Sequence, residues 1–232
     1  MSATPALFNW SGGKDSALAL WTALQSGVYD VRCLLTTLSR EYARVSMHGV
    51  REALLERQAA SIGIPLRKAY IAEDAGMDTY DAVLRDALLE LGARGIHTAL
   101  FGDIYLEDLR AYRENALAGV GWSAAFPLWQ RPTRELLLEF IARGFKAVIV
   151  CVNGACLDAS FAGRLLDQGL LDDLPPGVDP CGENGEFHSF VFDGPLFHEP
   201  VPFTRGEVVH RRYVSAPPYD DGFYFCDLLP TI

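Results

Sequence analysis

Residues 11–16 read Ser-Gly-Gly-Lys-Asp-Ser and lie between an apolar run at 6–8 and a stretch of helical character. Two adjacent glycines let the backbone turn sharply and approach an anion closely, and the free amides of a helix start favour negative charge. Lys14 adds a positive charge, and Ser11 and Ser16 add hydroxyl donors. The hexapeptide predicts a phosphate-binding loop between a strand and a helix; a glycine turn followed by a serine N-cap is the structural alternative.

The spacing excludes two common nucleotide-binding loops. A Walker A loop requires a glycine five positions before the glycine that precedes the lysine, and a serine or threonine after the lysine. Phe8 and Asp15 occupy those two positions here, and no G-x-G-x-x-G sequence opens the first helix. What remains resembles the SGGxDS loop of the PP-loop ATP pyrophosphatases, which cleave ATP between the α and β phosphates.

Strand-like segments alternate with helix-like segments along most of the chain. The predicted strands are 5–10, 31–37, 66–71, 98–102 and 145–152. The predicted helices are 15–26, 50–62, 78–91, 107–118 and 133–143, the last with Thr133 as N-cap and Gly144 as stop. This alternation predicts an α/β fold with a doubly wound parallel sheet. Ligands of such sheets bind outside the carboxyl ends of the strands.

The pattern changes after about residue 165, where a breaker cluster follows at 172–177. Beyond it, 187–192 and 207–214 have the composition of strands. We therefore expect a main ATP-binding domain over residues 1–172 and a smaller β-rich appendage over residues 173–232.

Composition limits the class of partner and the compartment. The 232 residues carry 20 Lys and Arg against 30 Asp and Glu, a net charge of −10 that disfavours a nucleic-acid substrate. The five cysteines form no C-x-x-C pair, which argues against a disulfide framework and a zinc site. Neither a signal-like leader nor an 18-residue apolar run is present. These features predict a cytoplasmic protein that does not span a membrane.

Two further sequences carry chemistry. Gly102-Asp103 follows a predicted strand, where the carboxylate suits a metal or a ribose hydroxyl, although an Asx turn has the same sequence. The second is 179–188, which concentrates Glu183, Glu186 and His188 in a glycine-containing loop. Acids and a histidine at this spacing can ligate a metal, act as a general base or bind a cation; a polar hairpin is the alternative.

The combination of SGGKDS with Gly-Glu-Asn-Gly-Glu-Phe-His-Ser-Phe-Val-Phe-Asp-Gly-Pro at 182–195 resembles the diphthine–ammonia ligase family. That family is a PP-loop group with the adenine nucleotide α-hydrolase-like (HUP) fold. The resemblance spans roughly residues 5–200 and includes Gln58-Ala59 and Pro127-Leu128-Trp129. Ser189 stands where the family often has threonine, a mild departure.

The resemblance implies a set of site residues. The phosphates of ATP would be held by Ser11, Gly12, Gly13, Lys14 and Ser16, the adenine by the backbone at Thr36, Thr37 and Leu38, and the remaining nucleotide by Gly102 and Asp103. Mg²⁺ would be bound by Asp15 and Asp103. The catalytic set would be Lys14, Asp15, Glu183, Glu186 and His188.

The resemblance also implies a reaction. A carboxylate attacks the α-phosphorus of ATP, giving an acyl-adenylate and pyrophosphate, and ammonia then displaces AMP. The family's acceptor is diphthine, a modified histidine of a protein, whose trimethylammonium group suits carboxylates and the aromatic face of Phe187. Another PP-loop enzyme, such as a tRNA-modifying ligase or an ATP pyrophosphatase, stays open, as do a non-catalytic nucleotide sensor and a homodimeric state.

Overall fold

The computed structural model describes residues 2–45, 49–72, 75–212 and 222–231. The strands in these ranges are β1 (Thr4–Asn9), β2 (Tyr29–Ser39), β3 (Arg44–Val45), β4 (Leu66–Ile71), β5 (Thr98–Leu100), β6 (Ser123–Ala125), β7 (Lys146–Asn153), β8 (Phe187–Asp193), β9 (Phe203–Arg211) and β10 (Phe223–Pro230). The α-helices are α1 (Lys14–Gln25), α2 (Glu52–Ile62), α3 (Met77–Gly92), α4 (Glu107–Ala118), α5 (Thr133–Ala142) and α6 (Gln168–Asp173). Across these ranges, no helix has both the length and the apolar character that crossing a membrane requires.

The first sheet is mainly parallel and is built around β1. Strand β1 pairs with β2 on one side and with β5 on the other, β6 extends the sheet beyond β5, and β4 also pairs with β2. The two-residue β3 is antiparallel to the end of β2. The chain thus builds the sheet outward from β1 in one direction and then in the other. This reversal places a ligand crevice at the carboxyl end of β1.

Helices cover both faces of this sheet, because β1 is apolar on both. Phe8 packs in a cluster with Ala17 and Leu20 of α1, whereas Leu7 packs in a second cluster with Leu91 of α3 and Trp122. A strand buried on both faces reads as a continuous apolar run, as β1 does. The doubly wound α/β expectation is therefore confirmed.

The second sheet is antiparallel, in the order β8-β7-β10-β9. The expectation that the strand at 145–152 extends the parallel sheet is wrong, since β7 pairs with β8 and β10 instead. All of β7 after Lys146 is buried, and such a run does not identify its neighbours. A β-rich C-terminal region is confirmed, while the division at residue 172 stays a prediction. Part of the predicted strand 207–214 lies outside the described residues.

The start of α5 differs from the sequence prediction. Pro132 is the N-cap, and Thr133 is the first helical residue. Its hydroxyl donates a 2.7 Å hydrogen bond to Asp179 Oδ2 rather than capping the helix. The N-cap prediction for Thr133 is therefore wrong, and this side chain instead ties α5 to the segment that precedes β8.

Candidate active site

Residues 11–16, which we call the phosphate loop after the sequence prediction, connect β1 to the first turn of α1 in the conformation that their glycines permit. Gly12 has φ +78°, in the left-handed region, and Gly13 is the extended N-cap of α1 without a side-chain cap. Ser16 Oγ donates to the Gly13 carbonyl at 2.9 Å, and the Gly13 amide donates to Ser11 Oγ at 3.3 Å. The loop is therefore compact, and the start of α1 carries no side-chain acceptor from its own N-cap.

A buried glutamine holds this loop from behind. Gln58 of α2 is fully buried, and its Nε2 donates to the carbonyls of Gly12, at 3.0 Å, and Val191, at 2.5 Å. Its Oε1 accepts from Trp10 Nε1 at 3.0 Å. The sequence alone predicts no role for Gln58. The available signal was a long polar side chain on the mainly apolar buried face of α2.

Strand β8 supports the loop as well. The Val191 amide donates to the Gly12 carbonyl at 2.9 Å, and the Lys14 amide donates to Ser189 Oγ at 3.1 Å. An edge strand of the second sheet is therefore hydrogen bonded to the phosphate loop of the first. Ser189 is therefore a further residue that supports the loop, and the sequence alone predicts no such role for it.

Lys14 is a buried cation with three partners. It is 4% exposed, its Nζ lies 2.7 Å from Asp15 Oδ2 and donates to the Cys181 carbonyl, and it stands 5.1 Å from the Phe187 ring centroid. Burial by itself lowers the pKa of Lys14, but Asp15 and the other negative groups nearby outweigh it, and the net pKa lies above its ordinary value. Burial raises the pKa of Asp15, and Lys14 opposes that rise. Lys14 therefore stays charged.

A cavity of about 660 Å³ opens at the carboxyl ends of β1, β2 and β5. Its walls come from the phosphate loop, the ends of these strands, facing sides of α3 and α4, and residues 181–183, 185 and 187–189. Thr36 and Thr37 line it, whereas Leu38 is fully buried in the core and does not. Gly12 does not line the cavity either, and its carbonyl accepts hydrogen bonds from Gln58 and Val191. A cavity of this size is in the range of small-molecule sites.

Gly102 and Asp103 both line this cavity, and each also contacts another part of the chain. A Cβ at Gly102 would lie 3.0 Å from the Ser16 amide nitrogen, so the glycine is needed for close packing on α1. Asp103 Oδ2 lies 2.8 Å from Arg113 Nε, and that guanidinium lies over the Phe101 ring. Burial raises the pKa of Asp103, and Arg113 opposes the rise.

Glu183 links the segment before β8 to the loop between β5 and α4. Its Oε1 accepts from the backbone amides of Ile104, at 2.8 Å, and Tyr105, at 3.4 Å, and its side chain lines the cavity. Burial, followed by the charge of Asp15, raises the pKa of Glu183 to about 7, although the amide bonds and Lys14 act in the other direction. Glu183 thus has a proton affinity suited to acid–base chemistry near neutral pH.

The other residues of this segment divide into two groups. Glu186 is 4% exposed and does not line the cavity; it accepts hydrogen bonds from the Asp179 amide, at 3.0 Å, and the Asn184 amide, at 2.9 Å. His188 does line the cavity. Cys181 is buried, its thiol donates to the Thr133 carbonyl at 3.2 Å, and burial raises its pKa, so it is no thiolate nucleophile.

The donor set fits a magnesium ion that arrives with a nucleotide. In the described ranges, no three His, Cys, Asp or Glu side chains are grouped so as to hold a metal ion. Mg²⁺ on a nucleotide needs only one or two protein carboxylates, since phosphates and water supply the other ligands. Asp15, with its side chain 29% exposed beside the phosphate loop, meets that need. Asp103, the other carboxylate that the sequence resemblance implies as a Mg²⁺ ligand, is ion-paired with Arg113.

The geometry defines a class first. A glycine-rich strand–helix loop at the strand-order reversal of a mainly parallel sheet is the arrangement of a Rossmann-like α/β protein. Family models then give the group within that class: the diphthamide synthase N-terminal domain matches residues 4–122 and its C-terminal domain matches residues 132–213. The chain therefore belongs to the diphthamide synthase family, which confirms the resemblance found in the sequence.

Curated relatives carry one name. The chain is similar to the diphthine–ammonia ligases of Homo sapiens, at 39% identity over 48% of this chain and 45% of that protein, and Bos taurus, at 34% over 50% and 46%. It is 26% identical to the diphthine–ammonia ligase of Danio rerio over 89% of both chains. The chain thus spans about half the length of the mammalian relatives that it matches.

Proposed function

We propose that this chain is an ATP-dependent ligase that cleaves ATP to AMP and pyrophosphate and joins ammonia to a carboxylate acceptor. The observation that carries the proposal is that one cavity contains both the phosphate loop and the acidic segment before β8. A nucleotide held by the loop would have its reacting phosphate between these two groups. The names of the relatives support diphthine and ammonia as the substrates.

In this proposal the loop stabilises the leaving group. Ser11, Gly13, Lys14 and Ser16 line the cavity and would hold the pyrophosphate, with Lys14 supplying the positive charge. Thr36 and Thr37 would contact the adenosine. Charge stabilisation by groups already in place is the largest contribution to catalysis in many enzymes. No protein nucleophile is needed, because the acceptor itself attacks the phosphorus.

Mg²⁺ would be bound by Asp15 together with the phosphates of ATP, where it neutralises charge on the leaving pyrophosphate. Because the Asp15 carboxylate is paired with Lys14, the loop carries a compensating cation and anion next to each other. That pairing keeps Asp15 beside the phosphates and Lys14 in its buried position.

The chemical steps balance without a further reactant. An acceptor carboxylate oxygen forms a bond to the α-phosphorus, and the bond to the bridging oxygen breaks with release of pyrophosphate. Nitrogen then forms a bond to the activated carbonyl carbon, and the carbon–oxygen bond to AMP breaks. Glu183 and His188 line the acceptor side in this arrangement. Glu186 holds the shape of the segment through its amide contacts, and Phe187 packs against Lys14.

The test is to incubate the protein with ATP, Mg²⁺, ammonium and a protein substrate that carries diphthine, and to separate the products. We expect AMP, pyrophosphate and the amide in equal amounts; ADP and phosphate as the main products would contradict the proposal. Lys14→Met should lower turnover by roughly 100-fold or more, as loss of a transition-state charge contact does. Lys146→Met is the matched control, because that lysine is 61% exposed on β7 and pairs with Asp193.

A further inference from the structure

One carboxylate oxygen of Glu183 accepts hydrogen bonds from backbone amides, and the other does not. Both amide hydrogen bonds, from Ile104 and Tyr105, end on Oε1. Among residues 2–45, 49–72, 75–212 and 222–231, none donates a hydrogen bond to Oε2. Since the side chain lines the cavity, this geometry fixes the carboxylate at one oxygen and leaves the other available to a ligand.

The charges around Glu183 favour a small cation. Of the charged groups nearby, Asp15 and Lys14 act on Glu183 in opposite directions. Arg85, Arg113 and His188 also line the cavity, and Arg113 is paired with Asp103. Cys181 and Tyr105 are neutral, because burial raises the pKa of the thiol and raises that of the phenol to about 12. Lys14 is already paired with Asp15. The negative charge of Glu183 is therefore not neutralised by an ion pair of its own.

The proposed reaction supplies such a cation. At neutral pH ammonia is present mainly as ammonium, which has no lone pair and cannot attack a carbonyl carbon. A site that uses ammonium must bind it against negative charge and must take a proton from it at the moment when the nitrogen becomes a nucleophile. General bases that do this work have proton affinities near the operating pH.

We propose that Glu183 binds the ammonium ion through Oε2 and accepts one of its protons as the nitrogen attacks the acyl-adenylate. This inference rests on the proposed function. The freed electron pair forms the carbon–nitrogen bond, the carbon–oxygen bond to AMP breaks and AMP takes that electron pair, and the second proton of the nitrogen leaves to solvent. Glu183 then returns its proton to water.

Glu183→Gln tests this step with little structural change. The glutamine keeps a carbonyl oxygen for the amides of Ile104 and Tyr105 but neither carries the charge nor accepts the proton. The probe is hydroxylamine, which is uncharged at neutral pH and attacks an acyl-adenylate without a base. In the variant, we expect amide formation with ammonium to fall by roughly 100-fold, while hydroxamate formation stays close to that of the parent. The fall with ammonium should shrink as the pH rises and free ammonia increases.

Each other outcome is decisive. An equal fall with both nucleophiles would show that Glu183 positions the adenylate rather than handles the proton, and no fall with ammonium would show that it does neither; either result overturns the inference but leaves the proposed function standing. Absence of hydroxamate and AMP with the parent protein would overturn both. Glu207→Gln, at an exposed position on β9, is the control for removal of one negative charge.

Discussion

The amide of Val191 donates a 2.9 Å hydrogen bond to the carbonyl oxygen of Gly12, which joins an edge strand of the second sheet to the phosphate loop of the first. Exposed strand edges tend to pair with other chains, and here part of the edge of β8 is used by the loop instead. The same strand carries Ser189 and His188, so the loop and the acceptor side of the cavity are held by one element.

Gln58→Leu should weaken ATP binding, because the leucine fills the space but donates no hydrogen bond to Gly12 or Val191. The buried indole of Trp10 and the buried carbonyl of Val191 would each lose the hydrogen bond that they make with Gln58. Leaving buried polar groups unsatisfied costs about 1–3 kcal/mol each, so we expect the free energy of unfolding to drop by about 2–3 kcal/mol. We expect the Kd for ATP to rise about tenfold, equivalent to about 1.4 kcal/mol.

Urea denaturation and calorimetric titration with ATP measure these two effects. Gln168→Leu is the control, since Gln168 is exposed on α6 and its side chain donates a hydrogen bond to Asp172 of the same helix. Exposed substitutions of this kind change stability by about 0.5 kcal/mol or less. Parent-like ATP affinity in a folded Gln58→Leu variant would show that the glutamine does not set the loop.

Gly12→Ala and Gly27→Ala form a second matched pair. Both glycines have positive φ, +78° and +66°, so alanine meets the same backbone strain of about 1–2 kcal/mol. A Cβ at Gly12 would lie 2.7 Å from Gln58 Oε1, whereas one at Gly27 would have no neighbour within 4 Å. We expect Gly12→Ala to lose more stability than Gly27→Ala and to bind ATP more weakly, while Gly27→Ala keeps parent affinity. Equal losses in thermal stability and affinity would argue against this role of Gly12.

Asp227 of β10 should contribute stability that depends on pH. It accepts hydrogen bonds from Arg51 Nη2, at 2.5 Å, and Arg44 Nη1, at 2.9 Å. Burial raises its pKa, but the two guanidinium groups outweigh burial and lower the pKa to about 2. The stabilisation is therefore present above the ordinary pKa of an aspartate and is lost as the pH falls toward 2.

Asp227→Asn should lower the free energy of unfolding by about 1–2 kcal/mol at pH 7, a reduced figure because Arg51 is 40% exposed and water screens the pair. The difference from the parent should be smaller at pH 3. Asp30→Asn, which removes an exposed pair with Arg32, is the control and should cost less than about 0.5 kcal/mol. Urea denaturation at both pH values checks the sign, and a difference that grows toward pH 3 would contradict it.

Local pattern was sufficient to predict the turn between β1 and α1 and the centre of the first sheet. An apolar run before Ser11-Gly12-Gly13 and a helical stretch after it define both elements without distant contacts. Strand β7 shows where local pattern ends, because a fully buried run is compatible with either sheet and only pairing decides between them. Strand β6 consists of three small residues, and the sequence analysis predicts no strand over β6 or over β10.

The candidate site follows the same division. Sequence places Glu183 and Glu186 three residues apart in a polar loop and gives no means of separating them. In the structure, amides of the loop itself satisfy Glu186, whereas Glu183 reaches the loop that follows β5 and lines the cavity. Gln58 could not be assigned because its partners, Gly12 and Val191, come from segments far apart in the chain.

The raised proton affinity of Glu183 has a consequence for folding. Its pKa is about 7 in the folded chain and lies near its ordinary value of 4.5 in the unfolded chain. Between these values the folded state binds more protons than the unfolded state, so stability falls as the pH rises through this window. Below it, both states are protonated and Glu183 has no effect.

Glu183→Gln removes the loss of stability that the parent shows as the pH rises, since glutamine does not ionise. For a half-buried carboxyl, a pKa change of this size corresponds to about 1–3 kcal/mol. We therefore expect the stability of the variant relative to the parent to increase by this amount from pH 5 to pH 8, as measured by urea denaturation at the two pH values. Glu207→Gln should show no such gain. If the difference between parent and Glu183→Gln stays constant from pH 5 to pH 8, Glu183 has an ordinary pKa, and its assignment as a base near neutral pH loses its electrostatic support.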